Sequence, residues 1–409
     1  MKKAFWLVSL ALACFIVGPA AQAEAQAPIK LGVITPVTGN YGDHGLAERL
    51  GMEMALAELG GTILGRPVEL VVDDDETNAD TAARKVRARI ESDGIMIYFG
   101  GVSSSTALAI APVVQEYGAL YMATNPNGDT ITSTQATRNV VRFPPNMSSL
   151  ARAAATYAID KLGKKKFFFL THDYSWGHSG TQWARDVLTK KGGTEVGEIR
   201  VPMGTSDFSA QLTQIRNSGA EILMITCAGF DNVALLKQMA DFKIHDVITV
   251  VYTLEDFIDS YNLDAEVQHG FSAVEVFWNE TPQMEAASKK FGEMFPKAPF
   301  PVIDTTTYNG YVAMMALAAA AEKAGTIDDI PKLIQALEGL EVKNNMRGEP
   351  TIIVPETHQA LSKVVLIEKD AKAKDRLARW KVVDIIDAAT FEMTREENPI
   401  DLTKEPFKK

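Results

Sequence analysis

The chain has 409 residues, a formal net charge of −11, 46% hydrophobic and 23% charged residues, and two cysteines. That balance excludes a disordered chain and a polytopic membrane protein, and its acidity disfavours nucleic acid or an anionic membrane surface as a partner. At roughly 100–200 residues per domain, the length allows two or more domains with sizeable cores.

Lys2 and Lys3 precede an apolar run from Ala4 to Val17, and small residues follow at Ala21, Ala23, Ala25 and Ala27. This order predicts a secretory signal peptide over residues 1–23, with later cleavage positions up to residue 27, and hence a secreted protein. Cys14 lies inside the run, but its flanks fit lipid attachment poorly. Once the signal is removed only Cys227 remains, so no intrachain disulfide is expected.

From Pro28 onward, strands and helices alternate. IKLGVIT (29–35) reads as a strand, and Met52, Ala55, Leu56 and Leu59 then mark one helix face. VELVVDD (68–74), IMIYF (95–99) and ALYMA (119–123) read as further strands, separated by helices through Ala79–Ile90 and Ala107–Val114. Near-continuous apolar strands with crossover helices predict a doubly wound α/β lobe buried on both faces.

A second series follows: a helix at 150–162, KKFFFLT (165–171), a helix at 178–191, a strand at 196–201, and a helix through Phe208, Leu212 and Ile215. EILMITC (221–227), a helix through Leu236 and Met239, and DVITVVYT (246–253) complete it. Residues 282–338 read as mainly helical. Their longest apolar segment, 307–325, carries Asn309, Glu322 and Lys323 and so reads as a core helix. Residues 364–369 and 378–386 look like two final strands.

The serine run in GGVSSST (100–106) sits between a strand end and a helix start. Ligands bind at such places in open α/β sheets, where helix N–H groups favour an anion. One serine is also expected to cap the helix. A nucleophile lacks the GxSxG elbow, and phosphate or dinucleotide glycine motifs are absent. His172 and His178 fit no common zinc spacing, and DDDE (73–76) reads as a strand-end loop, so neither a cofactor nor a metal is expected. TGNYGDHG (38–45), THDYSWGHS (171–179), CAGFDN (227–232) and YTLED (252–256) occupy comparable strand ends. Tyr41, Trp176 and Phe230 offer apolar walls there, and Glu255 a charge for a cationic group.

The segments IKLGVITPVTGNYGDHG, DDDETNADTAARKV, GGVSSSTALAIAPVVQEYGALYMAT, HDYSWGHSG, PMGTSDF and GAEILMITCAG together resemble the leucine/isoleucine/valine-binding-protein-like family of periplasmic solute-binding proteins. The resemblance implies a type I periplasmic binding fold: two Rossmann-like lobes joined by a three-crossing hinge. Lobe 1 would comprise 28–147 plus 277–353, and lobe 2 148–276 plus 354–409. A small-molecule ligand would bind between the lobes of a monomer that docks to an ABC transporter permease and performs no chemistry.

By the same resemblance, Ser103 and Ser105 would hold a ligand carboxylate, and Asn125 and Asn127 stand where small residues and a hydroxyl are usual. Trp176, Phe230 and Tyr41 match ligand-contacting aromatics, and Glu255 matches the acid that meets an amino group. An amino acid, an aromatic acid, an amide and urea all remain open as ligands. A sensor for a signalling partner is the alternative from another class.

Overall fold

The computed structural model describes residues 27–407, so the expected signal peptide and Cys14 lie outside the described residues. The first series is β1 (Ile29–Thr35), α1 (Gly42–Glu58), β2 (Thr62–Ile63), β3 (Arg66–Asp74), α2 (Ala79–Asp93), β4 (Ile97–Gly100), α3 (Ser104–Tyr117), β5 (Leu120–Ala123) and β6 (Val140–Arg142). Its sheet has the order β2-β3-β1-β4-β5-β6, parallel throughout except for the β2 hairpin arm. Local chemistry sets the helix ends. The Asn78 side chain accepts from the Thr81 N–H to start α2, and Gly94 closes it in the left-handed conformation.

α4 (Met147–Asp160) opens the second series: β7 (Lys166–His172), α5 (Ser175–Lys190), β8 (Thr194–Val201), α6 (Ser209–Arg216), β9 (Ile222–Thr226), α7 (Phe230–Asp241), β10 (Thr249–Tyr252), α8 (Phe257–Ser260) and β11 (Phe271–Val274). Then come α9 (Pro282–Met294), α10 (Thr305–Ala324), α11 (Ile330–Leu337) and a small antiparallel sheet of β12 (Glu341–Val342), β13 (Thr351–Ile353) and β14 (Ala360–Leu361). The chain finishes with β15 (Val364–Lys369) and β16 (Trp380–Ile386). The second main sheet runs β16-β15-β11-β10-β9-β7-β8, parallel from β11 to β8 and antiparallel at β15 and β16.

α10 is the apolar segment read as a core helix, and it is buried along nearly its whole length. It returns to the first sheet and lies directly on α1. The two backbones approach so closely that a Cβ on Gly51 would stand 1.9 Å from the Thr307 carbonyl, and one on Gly310 2.1 Å from that of Glu48. Among the described residues, no helix is long and apolar enough to cross a membrane.

Hydrophobic periodicity located the long elements but passed over β2, β6, β11 and β12–β14, which have two to four residues each. Runs that short carry no readable period. The strand expected from 246 begins only at Thr249, because Ile244–Asp246 forms a 3-10 turn. Asp74 behaves as a strand-end ligand for backbone: its carboxylate accepts from the N–H groups of Val37 and Glu76 and from the Thr38 hydroxyl.

Candidate functional site

Strand order reverses between β1 and β4 in the first sheet and between β7 and β9 in the second. Each reversal parts the loops at the carboxyl ends of the strands into a crevice. Tyr41 follows β1, Ser103 and Ser105 follow β4, and Asn125 and Asn127 follow β5; Trp176, Phe230 and Glu255 follow β7, β9 and β10. All eight expected site residues therefore lie at the carboxyl ends of parallel strands, five on one sheet and three on the other.

The two sets of loops touch. The hydroxyls of Tyr41 and Tyr174 are 2.8 Å apart, and Tyr174 stacks on Trp176 with ring centroids 5.9 Å apart and planes at 25°. The Asn40 carbonyl accepts from the Phe230 N–H at 3.1 Å, and the Asn40 amide oxygen accepts from the Asp231 N–H at 3.2 Å. Gly229 sits beneath them at φ +71°, and a Cβ there would stand 2.6 Å from the Asn40 carbonyl. Further along the seam, His44 Nε2 lies 3.2 Å from Asp256 and 3.6 Å from Asp259, while the Trp183 indole donates to Asp129 at 2.8 Å.

Ser103 is the N-cap of α3; its hydroxyl accepts from the Ser105 N–H at 3.2 Å. Ser104 accepts from the Gly128 N–H and so ties the β4 loop to the β5 loop, while the Ser105 side chain is only partly buried. Asn125 is buried on the neighbouring loop. The Asn127 amide donates to the Pro145 carbonyl at 2.9 Å, and the Asn127 backbone carbonyl accepts from the Met147 N–H. Trp176 and Tyr41 join through Tyr174. Phe230 does not join them: it is 52% exposed on the rim, against the loop from Val37 to Leu46.

Glu255 is buried and ion-paired with Lys369, whose ammonium also lies 5.0 Å from the centroid of the Tyr252 ring. Its charge is thus matched from within the same sheet. The carboxylates that face the opposite loops are Asp256 and Asp259, with Asp304 at the N-terminus of α10. Asp256 Oδ1 and Asp304 Oδ2 are buried without a hydrogen-bond partner. Burial alone would lower the His44 pKa, but Asp259, Asp256 and Asp304 outweigh it and lift it to about 9. Burial raises Asp259 to about 7 and Asp304 to about 6. Behind them, burial brings Glu48 to about 7, although it accepts from Thr124 and, at 2.5 Å, from Thr35.

Cys227 Sγ lies 3.2 Å from His172 Nε2, which is also 3.0 Å from Asp231. All three are buried, and burial pushes the thiol pKa well up, which suppresses the thiolate a nucleophile needs. Among the described residues, no three His, Cys, Asp or Glu side chains are arranged to hold a metal ion. His44, Tyr174, Asp256, Asp259 and Asp304 were not singled out in the sequence. Four of them fall in or beside TGNYGDHG, THDYSWGHS and YTLED, which did carry a signal; Asp304 had none.

Residues 28–374 match the family model described as periplasmic binding protein. A Leu/Ile/Val-binding protein homolog 6 from Brucella melitensis is 26% identical over 387 residues, covering 92% of this chain and 94% of its own. Among solved structures, a periplasmic binding protein from Burkholderia mallei superposes with a TM-score of 0.84 at 28% identity, covering 92% of this chain and 99% of its own. A solute-binding protein of an ABC transporter from Rhodopseudomonas palustris, in complex with 3,4-dihydroxybenzoic acid, gives 0.80 at 20% identity, covering 89% and 98%.

Proposed function

Since the chain belongs to the periplasmic binding protein family, we propose that it captures a small organic carboxylate, an amino acid first among them, between its two α/β lobes. It then hands the solute to an ABC permease of the inner membrane. We assign 28–147 plus 277–353 to one lobe and 148–276 plus 354–409 to the other, with the mature monomer in the periplasm.

One observation carries this reading: loops at the carboxyl strand ends of both sheets meet directly, through Tyr41–Tyr174 and His44–Asp256. A solute held there contacts both lobes, so its binding energy favours the closed arrangement. The first turn of α3, with Ser103 at its cap, suits the carboxylate end. The buried, unpartnered Oδ2 of Asp304, rather than Glu255 with its Lys369 partner, suits a cationic end. The stacked Tyr174 and Trp176 favour a second reading, a planar aromatic acid such as the one named with the R. palustris protein. The buried Cys227 thiol and the capping role of Ser103 support a carrier without chemistry of its own.

The test is calorimetric titration with amino acids, benzoic acids, amides and urea, after unfolding and refolding the protein to strip any carried solute. Micromolar or tighter binding of one class supports capture and names the class. No binding by any of them overturns it.

A further inference from the structure

The seam between the lobes is closed at one point by a single histidine set among carboxylates. His44, on α1, is 2% exposed, and its Nε2 reaches Asp256 at 3.2 Å and Asp259 at 3.6 Å at the start of α8 and within it. Asp304, the N-cap of α10 on the same lobe, adds a smaller pull on the His44 proton. On its own helix, Glu48 lies one turn further along, and the Tyr41 ring meets the imidazole edge-on at 5.3 Å. Beyond Asp259 stands Glu255, already matched by Lys369. Among the described residues, neither Asp256 nor Asp259 pairs with a lysine or arginine.

We propose that closing this seam takes up a proton at His44, so that solute capture strengthens in acid and weakens in alkali; this regulation rests on the reading of capture between two lobes. The physical reason is charge balance. When the lobes part, His44 leaves Asp256 and Asp259 and regains water, keeping only Asp304 and Glu48, which ride on its own lobe. When they meet, Asp256 and Asp259 are buried against the ring; Asp259 also accepts from the Gly229 N–H and the Asn232 amide, but the positive charge that faces the two carboxylates is the imidazolium.

The sign follows from linkage. His44 is held near 9 in the closed seam against 6.5 in water, so the closed state binds one more proton across that window. Asp259 and Asp304 are raised as well, and they add uptake in the same direction below about 7. The ratio of closed to open molecules therefore falls as pH rises, by up to about tenfold per unit between about pH 7 and 9.

The experiment is small-angle scattering of the purified protein without added solute, from pH 7 to 10. The expected result is a radius of gyration that grows with pH in the native protein and stays at its high-pH value throughout in His44→Gln. Asp256→Asn, which keeps the shape of the side chain, should move the midpoint to lower pH, because fewer carboxylates then hold the proton. A native radius constant over this range, or variants that follow the native curve, would overturn the proposal. The capture reading is judged separately by titration at pH 7. A solute that binds with pH-independent affinity would sink proton coupling and leave capture standing, whereas a panel without binders would sink capture and leave the scattering profile as it is.

Discussion

Glu255 and Lys369, 114 residues apart in the chain, form a buried ion pair inside the second sheet's lobe. Lys369 ends β15, an antiparallel strand on β11, and β11 in turn pairs with β10, after which Glu255 lies. Burial pulls the lysine pKa down, and Glu255 is the charge that opposes this.

Glu255→Gln is therefore expected to act on stability first. Removing one member of a buried pair leaves the other charge uncompensated, at a cost of about 3–5 kcal/mol. Urea denaturation should show that loss, while the folded variant still binds its solute. A variant with native stability and abolished binding would return Glu255 to the role of ligand partner.

Ser103 and Ser105 separate the helix cap from the ligand grip. Ser103→Ala removes the cap hydrogen bond to the Ser105 N–H and should lower stability by about 1 kcal/mol. Ser105 forms no cap and is partly exposed, so Ser105→Ala should leave the urea midpoint within about 0.5 kcal/mol of native. If Ser105→Ala nonetheless weakens solute affinity, its hydroxyl contacts the ligand. If only Ser103→Ala matters, and only to stability, the run serves α3 alone.

Gly229 is a wedge position. Its φ of +71° is unfavourable for any other residue, and an added methyl would press on the Asn40 carbonyl and on the Tyr41 ring, 2.9 Å away. Gly229→Ala should cost about 1–3 kcal/mol against closure and weaken affinity accordingly. Tyr41→Phe, which removes only the bond to Tyr174, should weaken affinity about fivefold, for about 1 kcal/mol. Calorimetry reads both, and equal affinities for both variants and native protein would mean that this seam opens and closes without consequence for the solute.

How far the site was legible follows from these residues. The placement of Tyr41, Ser103, Asn125, Trp176, Phe230 and Glu255 at strand ends could be read locally, because an apolar run followed by Gly, Ser or Asn marks such an end. What those residues do there depends on neighbours that arrive from distant sequence. Lys369 comes from the tail and cancels Glu255; Asp304 comes from the head of a helix that returns to α1. Tyr174 precedes Trp176 by two positions, yet only the loop geometry shows that it, and not Phe230, reaches the first lobe's tyrosine. Local periodicity carries burial and turn position, but the pairing of charges across sheets is a tertiary property.

Glu48 gives the pH dependence of stability an unusual sign. Burial lifts its carboxyl from 4.5 to about 7 in the folded protein. A raised carboxylate pKa means that the folded state holds the proton more tightly than the unfolded chain does. Its contribution is therefore most favourable below about 4.5 and is lost as pH rises through 7. At pH 8 the ionised side chain costs roughly 3 kcal/mol relative to acid. Glu48→Gln has no proton to lose; its amide oxygen accepts from one of the Thr35 and Thr124 hydroxyls, and its NH2 donates to the other once that hydroxyl turns. The slope of unfolding free energy between pH 5 and 7 should then become more positive by about 1.4 kcal/mol per unit than in the native protein. Urea unfolding at several pH values measures both slopes, and identical slopes would show that Glu48 ionises as freely in the fold as in water.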